Sequence, residues 1–302
     1  MNTNSELYLK AIQRMNELRF SGEYHEDREV LANKGFVVSE LKIDSNLPLT
    51  PIRTGFTKNS EIPESAINLL GYVCLLGMYP VVYQGENDGR LIRHVVPRVG
   101  LETQISSYGS SLDFYPHVDN PDLRLRGEVD FRSPVPDTLS LLCLRQQDNV
   151  ATSILKLDDI LDELSEEEIK LLEEAEFTVN RPASFEKQES IDKLPLLFKG
   201  DDGLYVSRFD YHNVRASSPK YDSVLEKFKR ASLDPKKWVS LYLKLGQVVT
   251  FDNQRTLHTR NGFKPKFDGN DRWLLRVFGL FEKCHDKYFL DTSCKHHLHT
   301  KI

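Results

Sequence analysis

The stretch WVSLYLKLGQVVTFDNQRTLHTRNG, residues 238–262, gives the clearest signal of the fold. From Trp238 to Leu245, apolar and polar side chains alternate, which is typical of a half-buried strand. A turn is expected at Gly246, and the β-branched run that follows predicts a second strand leading to His258. After a loop rich in Gly, Pro and Asn, the segment RWLLRVF, residues 272–278, alternates again. We therefore expect a meander of strands that carries His258 to one end of a sheet.

A second segment, YPHVDN, residues 115–120, contains His117 and Asp119. In an extended backbone, side chains at i and i+2 lie on one face about 6–7 Å apart, so both can bind one ion. Together with His258 they form a set of two histidines and one carboxylate, hereafter the triad. In non-haem iron(II) oxygenases such a set leaves positions open for other ligands. A surface turn with a hydrogen-bonded histidine is the alternative for so short a segment.

Two arginines, Arg272 and Arg276, fall on one face of the last expected strand, about 13 Å apart. The rest of that strand is Trp, Leu, Val and Phe, and a guanidinium group in such surroundings is costly unless it meets an anion. A pair of structural salt bridges is one explanation. The other is a 2-oxoacid cosubstrate, which chelates iron through its keto acid and leaves a distal carboxylate for a guanidinium to bind.

Three segments of the chain resemble the clavaminate synthase-like iron(II)/2-oxoglutarate oxygenases, which include hydroxylases of free arginine and asparagine. These segments are TQISSYGSSLDFYPHVDN (103–120), DTLSLLCLRQQDNVATSI (137–154) and FDNQRTLHTRNGFKPKFDGNDRWLLRV (251–277), of which the third is the most specific. The resemblance covers residues 80–155 and 200–280, approximately. It implies a mixed α+β fold whose core is a double-stranded β-helix, a cupin-like jelly roll, with flanking helices.

The resemblance also implies roles for individual residues. Iron(II) is expected at the triad of His117, Asp119 and His258. The distal carboxylate of 2-oxoglutarate is expected at Arg272, assisted by the hydroxyl group of Thr152, with Ser153 as the rival hydroxyl. The expected contacts of an amino-acid substrate are Arg276 for its carboxylate, Gln104 and Ser106 for its amino group, and Asp210 and His212 for its side chain.

The substrate side chain is the least constrained part of this interpretation. Residues 207–213, SRFDYHN, lie where the arginine hydroxylases of the family place acidic residues that hold a guanidinium group. Asp210 matches one of these acids, and His212 stands where a second acid is expected. A single acid suits a side chain with one cation or a polar group, and it weakens the case for unmodified arginine. A solvated loop is the alternative.

The carboxylate of Asp119 bears on the reaction, because related halogenases replace it with a small residue. We therefore expect O2-dependent hydroxylation of an unactivated C–H bond in a free amino acid or a derivative, with release of succinate and CO2. Desaturation or cyclisation with the same cofactors is an alternative, and a zinc-dependent hydrolase using the triad is a more remote one. A hydrolase has no general need for the two arginines, and a non-catalytic binding protein would be expected to lose a ligand.

The composition is that of an ordinary globular enzyme. With 302 residues, 39% of them hydrophobic, the chain can bury one substantial core. Its net charge is −5, and no basic patch interleaved with aromatic residues disturbs that balance, which disfavours a nucleic-acid partner. The longest apolar stretch, residues 69–78, is too short to span a membrane. Neither a secretory pattern nor a disulfide spacing of the four cysteines is present, so we expect a cytoplasmic protein.

A single iron(II)/2-oxoglutarate oxygenase domain is expected over 1–302. It would carry an amino-terminal helical elaboration over 1–70 and a carboxyl-terminal tail over 284–302, both bounds approximate. The tail is rich in Cys and His but lacks the short ligand spacings of structural zinc sites, so we expect it to be flexible or packed. A homo-oligomer is compatible with the sequence.

Helices are expected around the sheet. The spacing of apolar residues predicts one helix over 5–20, and Pro63 begins another that runs to Leu76. A further helix is expected over 218–231. Ser165 and Glu168 form a capping-box pattern, which marks the start of a helix in the acid-rich stretch.

Overall fold

The computed structural model of the protein describes residues 3–104, 108–291 and 294–300. The helices are α1 (Thr3–Ser21), α2 (Asp27–Lys34), α3 (Pro63–Leu75), α4 (Leu157–Leu161), α5 (Glu166–Leu172) and α6 (Pro219–Ser232). The strands are β1 (Phe36–Glu40), β2 (Tyr79–Tyr83), β3 (Arg93–Val95), β4 (Phe114–His117), β5 (Thr138–Arg145), β6 (Thr152–Lys156), β7 (Phe177–Asn180), β8 (Ser190–Leu194), β9 (Leu197–Lys199), β10 (Tyr205–Ser207), β11 (Val214–Ala216), β12 (Val239–Leu241), β13 (Gln247–Asp252), β14 (Thr256–Arg260), β15 (Trp273–Leu280), β16 (Phe289–Asp291) and β17 (Cys294–Leu298). The expected mixed class of many strands with few helices is confirmed.

Two sheets contain most of the strands. The large sheet has the order β1-β13-β5-β15-β2-β17-β16, with β3 also paired to β15. The small sheet has the order β12-β6-β14-β4. In the large sheet β17 runs parallel to β2, whereas the pairs of the small sheet are antiparallel. The chain thus provides two layers that can face each other.

The expected meander is wrong. β13 and β15 pair with opposite edges of β5 in the large sheet, whereas β12 and β14 pair with opposite edges of β6 in the small sheet. Four consecutive strands therefore alternate between the two sheets. The period-two pattern indicates which face of a strand is buried, but it does not identify the hydrogen-bonded neighbour. The first of these strands is also shorter than expected, because its pairing is confined to Val239–Leu241.

Three apolar clusters bury these elements. The first packs α1 and α3 on one face of the large sheet and includes Leu142 and Trp273. The second contains residues of both sheets, such as Leu141 and Ile154. The third joins the small sheet to α4, α5 and α6 and includes Leu257. Since neighbouring residues of β5 enter different clusters, this strand is covered on both faces, which explains its nearly continuous apolar sequence.

The helices largely follow the local sequence signals. α1, α3 and α6 begin and end close to the expected positions, and Pro63 occupies the first turn of α3. The capping box is confirmed. The backbone N–H of Glu168 donates to Ser165 Oγ at 3.2 Å, and the backbone N–H of Ser165 donates to Glu168 Oε2 at 2.8 Å. No helix in the described ranges is both long and apolar enough to cross a membrane.

The described part of the carboxyl-terminal segment is packed. β17 joins the large sheet beside β2. The ring of His296 stacks on that of Tyr79 with 4.9 Å between centroids, and His296 Nδ1 lies 2.8 Å from the carbonyl oxygen of Pro80. This segment therefore extends the sheet rather than leaving it.

Candidate active site

The three residues of the triad meet at one end of the small sheet. His117 ends β4 and lies directly opposite His258 of β14, and a bulge follows His258 in this pair. Asp119 comes two residues after His117, beyond the end of β4. Each residue offers a ligand atom, and these atoms all lie within 4.8 Å of one another. The pairing register of β4 and β14 therefore brings together the three residues that the sequence analysis predicted as a metal site.

The distances within the triad leave room for one ion. His117 Nε2 is 3.7 Å from Asp119 Oδ1, and His258 Nε2 is 4.0 Å from Asp119 Oδ2. The two imidazole rings have their centroids 4.1 Å apart. None of these separations is a hydrogen bond. A divalent cation bound between the three side chains would give each of them a partner.

Each of the two histidines can offer a ring nitrogen to a metal ion. Burial lowers the pKa of His258 well below its usual range, and the nearby His117 and Arg276 lower it further, so its imidazole is neutral. His117 Nδ1 lies 2.8 Å from the carbonyl oxygen of Tyr115, to which it can only donate. In the neutral ring that contact places the lone pair on His117 Nε2, a buried atom without a hydrogen-bond partner in the described structure.

A residue that the sequence analysis missed holds Asp119 in place. Asn253 accepts a hydrogen bond from the Asp119 backbone N–H at 2.9 Å and donates one to the Asp119 carbonyl oxygen at 3.1 Å. It also donates to the carbonyl oxygen of Pro136 at 3.1 Å, and it is fully buried. Its position directly after β13, before the second histidine, was the available signal. Asn253 therefore links the metal-binding turn to the end of the large sheet.

Arg272 is buried among neutral partners. Its Nη2 donates to Thr152 Oγ1 at 3.1 Å and its Nε donates to Gln146 Oε1 at 3.2 Å. Burial lowers the pKa of Arg272 to about 9, with a further contribution from Arg260. Among the described ion pairs, none includes Arg272. Ser153, the rival of Thr152, instead shares a 3.1 Å hydrogen bond with Ser240.

Arg276 lies in a buried network of charges. It forms ion pairs with Glu86 and with Asp119 Oδ2, the latter at 3.4 Å, and Arg93 Nη1 lies 3.4 Å from the same Glu86 oxygen. The other oxygen, Glu86 Oε2, is buried and has no hydrogen-bond partner in the described structure. The salt-bridge alternative considered for the arginines therefore applies to Arg276 and not to Arg272. The sequence analysis missed Glu86, which follows β2, and Arg93, which begins β3, because neither segment carries a sequence signal of a site.

The structure gives Asp210 a local role. Asp210 Oδ1 accepts hydrogen bonds from the backbone N–H groups of His212 and Asn213 at 2.9 and 3.0 Å, and Oδ2 accepts one from Asn213 Nδ2 at 2.8 Å. The backbone of Asp210 also forms a bridge with His117. The carboxylate thus caps its own turn, and the backbone bridge attaches that turn to the end of β4.

The other expected substrate contacts fall in different places. His212 lines a cavity next to the triad, and its ring packs against the rings of Tyr115 and Tyr211 with centroids 5.0 and 5.2 Å away. Gln104 is exposed and is absent from the described linings of the two cavities beside the triad. Ser106 lies outside the residues that the structure describes.

Two cavities meet at the triad. One extends between the sheets to Arg272 and Thr152 and has apolar walls that include Leu139, Leu141 and Leu274. The other, of about 240 Å³, extends toward His212 and the loop around Ser184. Asp119 and Arg276 line both. An ion at the triad would therefore contact two compartments, one that ends at a buried guanidinium group without an anion and one that opens toward solvent.

Comparisons with known proteins point to one family. A sequence model of the taurine catabolism dioxygenase TauD, TfdA family matches residues 93–278. The chain is 27% identical to the L-lysine 3-hydroxylase of Catenulispora acidiphila over 77% of its own length and 63% of that protein. It is 30% identical to the L-asparagine oxygenase of Streptomyces coelicolor over 81% of its own length and 70% of that protein. The chain thus spans less than two thirds of the first relative and somewhat more of the second.

A solved structure resembles the whole described architecture. An asparagine oxygenase in complex with Fe(II), 2S,3S-3-hydroxyasparagine and succinate superimposes with a TM-score of 0.83 and 25% sequence identity. The match covers 96% of this chain and 88% of that one.

Proposed function

Because the chain belongs to the TauD/TfdA family of dioxygenases, we propose that it uses iron(II) and 2-oxoglutarate to hydroxylate an unactivated C–H bond of a free amino acid or derivative. Succinate and CO2 would be the coproducts. One observation carries this proposal: a buried arginine without a carboxylate partner among the described residues ends the cavity that begins at the triad. Relatives named for lysine and for asparagine support the amino-acid part.

The fold proposed for this activity is a double-stranded β-helix in a single domain. Its support is the alternation of β12, β13, β14 and β15 between two sheets, which is how a jelly roll is wound. The triad lies at one end of the small sheet, where side chains of the opposing sheet close the cavity. The packed amino-terminal helices and carboxyl-terminal strands belong to the same proposed unit.

Iron(II) would be held by His117, Asp119 and His258. The donor set suits it, because two imidazoles and one carboxylate leave coordination positions for a chelating 2-oxoacid and for O2. When bound, the iron and 2-oxoglutarate together supply the activation of O2, with decarboxylation of the oxoacid. Asp119 keeps the position that a halide would need, so hydroxylation is proposed rather than halogenation.

The cosubstrate would be anchored by Arg272 and its two neutral partners. Thr152 and Gln146 orient the guanidinium group from the adjoining strand and loop. A carboxylate of 2-oxoglutarate would offset the cost of burying this cation, and the planar fork can bind it with two parallel hydrogen bonds. The alternative of a zinc hydrolase gives no role to this arrangement.

The head group of an amino acid matches the network around Glu86. Arg276 and Arg93 would bind the substrate carboxylate, and the unpartnered oxygen of Glu86 would accept a hydrogen bond from the ammonium group. Both ends of the zwitterion then meet groups of opposite charge. Because this network borders the triad, a bound amino acid would present its side-chain carbons near the iron.

The test is turnover by the anaerobically iron-loaded protein after addition of 2-oxoglutarate, O2 and a panel of free amino acids. Succinate formation should depend on one amino acid, and mass spectrometry should find that this amino acid has gained one oxygen atom. A loss of two hydrogens would instead identify the desaturase or cyclase alternative. Absence of succinate with every amino acid, combined with tight zinc binding, would overturn the proposal.

A further inference from the structure

The segment RNGF, residues 260–263, begins at the last residue of β14 and joins three parts of the chain. We call these four residues the clasp. Arg260 lines the cavity that extends from the triad to Arg272 and Thr152. In the strand pairing, Arg260 lies opposite Thr152 on one side of β14 and opposite Phe114 on the other. The clasp therefore begins at the end of the cavity where 2-oxoglutarate is proposed to bind.

Arg260 is a buried cation that binds main-chain carbonyl oxygens. Only 8% of its surface is exposed, and none of the described ion pairs includes it. Its two Nη atoms donate to four carbonyl oxygens at 2.9–3.4 Å, those of Gly109, Ser110, Leu112 and Asn261. Three of these oxygens belong to the segment 109–113, which leads into β4. A planar guanidinium group with several fixed donors can hold such a bend in the main chain.

The main chain of the clasp adds contacts to the same segment. The backbone N–H of Gly262 donates to Asp113 Oδ1 at 2.6 Å, and that of Phe263 donates to the carbonyl oxygen of Ser110 at 2.7 Å. A Cβ atom added to Gly262 would lie only 2.9 Å from the carbonyl oxygen of Ser111, closer than such atoms approach in proteins. A side chain at position 262 would therefore push the segment away from the clasp.

The clasp also holds the start of β6. Asn261 Oδ1 accepts a hydrogen bond from the backbone N–H of Ala151 at 2.8 Å, and Asn261 Nδ2 donates to the carbonyl oxygen of Asn149 at 3.0 Å. The next residue, Thr152, accepts the hydrogen bond from Arg272. Four consecutive residues thus fix the chain before both strands that flank β14, at the end of the cavity where Arg272 lies.

We propose that the clasp positions the site for the distal carboxylate of 2-oxoglutarate, with Arg260 as its main positioning residue. The proposal rests on the function proposed above. Arg260 acts through the segment before β4, which ends at the cavity wall residue Phe114, and Asn261 acts through the turn that carries Thr152. Arg272 remains the group that contacts the carboxylate. Position matters because hydrogen bonds weaken steeply when donor and acceptor are misaligned.

Two matched oxoacids test the proposal by binding. The iron(II)-loaded protein is titrated anaerobically with 2-oxoglutarate and with 2-oxopentanoate, which has an equally long chain but ends in a methyl group. Heat and the visible charge-transfer absorption of the iron–oxoacid chelate report binding. Arg260→Met should raise the dissociation constant for 2-oxoglutarate by roughly tenfold and leave that for 2-oxopentanoate unchanged. The affinity for iron(II), measured by competition with a fluorescent chelator, should also stay unchanged.

Further variants separate the position of the site from the charge of Arg260, since a buried cation also attracts an anion at a distance. Arg260→Lys keeps the charge without the planar fork, and Gly262→Ala keeps Arg260 but displaces the segment before β4. Both should weaken the binding of 2-oxoglutarate. Arg255→Met is the matched control. Arg255 directly precedes β14, pairs with Asp158 and is absent from the described walls of this cavity, so its loss should change neither oxoacid affinity.

The outcomes separate this proposal from the function on which it rests. Unchanged 2-oxoglutarate affinity in all three clasp variants would overturn the role of the clasp and leave the oxygenase function intact. A loss in Arg260→Met alone would show that charge acts without positioning, which also overturns it. If Gly262→Ala does not fold, Arg260→Lys makes this distinction. Parallel losses of iron(II) and of both oxoacids would make the clasp merely structural. An unmodified protein that binds iron(II) but not 2-oxoglutarate would overturn both proposals.

Discussion

Arg272, His117 and Glu86 share one property, a buried polar group whose bonding capacity the described protein leaves unused. Arg272 has neutral partners only, and one side-chain atom of each of the other two, Nε2 of His117 and Oε2 of Glu86, has no hydrogen bond. Buried polar groups are normally satisfied, because an unsatisfied one costs about 1–3 kcal/mol. His117 belongs to the triad and the other two groups lie near it, so an ion, an oxoacid and an amino acid bound there would satisfy all three.

Replacing Arg272 should weaken the binding of 2-oxoglutarate. Arg272→Gln removes the cation that would meet the distal carboxylate, and the expected loss is about 2 kcal/mol or more, a rise of roughly 30-fold in the dissociation constant. Arg272→Lys keeps the charge without the planar fork, so its dissociation constant should lie between those of the unmodified protein and of Arg272→Gln. Anaerobic calorimetry with iron(II) measures both. An unchanged affinity in Arg272→Gln would show that the oxoacid binds elsewhere.

Asn253 should act on the metal through Asp119. Asn253→Ala removes both hydrogen bonds to the Asp119 backbone, so iron(II) affinity should fall roughly 10- to 100-fold. Competition with a fluorescent chelator measures this affinity. Gln254→Ala is the matched control, because Gln254 is buried beside Asn253 but contacts Arg126 and Asp137 instead. If both variants lose stability and neither loses iron affinity, Asn253 is only structural.

At the scale of elements, the site depends on strands from both sheets. β14 lies between β4 and β6, so His258 is opposite His117 on one side and Ile154 on the other. β15 begins directly after Arg272, in the large sheet. The helices α4, α5 and α6 cover the third apolar cluster behind the small sheet. A substitution that destabilises one of these helices should therefore leave the chemistry at the triad unchanged.

The capping box of α5 offers a test of this separation. Ser165→Ala removes the acceptor of the Glu168 N–H, and the free energy of unfolding should fall by about 1 kcal/mol. Ser165→Asp keeps an acceptor at the same place and should retain most of the stability. Denaturant titration measures the difference. Turnover should be unchanged in both variants, and a marked loss of activity would show that α5 is coupled to the site.

At the scale of the whole molecule, ligands should hold the two sheets together. The proposed iron ligands come from the small sheet and the turn after β4, whereas Arg276 lies in β15 of the large sheet and Arg272 directly precedes that strand. Iron and 2-oxoglutarate would bridge these two layers. Ligands that bind only the folded state stabilise it in proportion to the logarithm of their concentration.

Thermal unfolding should therefore report each ligand separately. With 2-oxoglutarate at about 100 times its dissociation constant, the folded state gains about 2.7 kcal/mol, which raises the unfolding temperature by roughly 5 °C. Arg272→Gln should keep the increment due to iron(II) and, with a dissociation constant roughly 30-fold higher, should retain only about a third of the increment due to 2-oxoglutarate. His117→Ala should lose both. Anaerobic scanning calorimetry compares them, and a full 2-oxoglutarate increment in His117→Ala would contradict the shared site.

Local signals in the sequence predicted much of the molecule. The spacing of His117 and Asp119 predicted that both side chains can bind one ion. The capping box at Ser165 and the proline at position 63 predicted where two of the helices begin. Such signals depend on neighbours along the chain, which the sequence displays directly. The meander failed for the opposite reason, since the partner of a strand lies far away in sequence.

The sequence by itself determined the chemistry available to this protein: two histidines, a carboxylate and a pair of arginines on apolar strands. Only the tertiary structure decided how the arginines differ. It placed Arg276 against Glu86, 190 residues earlier in the chain, and left Arg272 with the neutral Thr152 and Gln146. It also turned Asp210 into the cap of its own loop. The physical reason is that a charge acquires its role from the groups buried beside it, and those groups are brought together by the packing of distant segments.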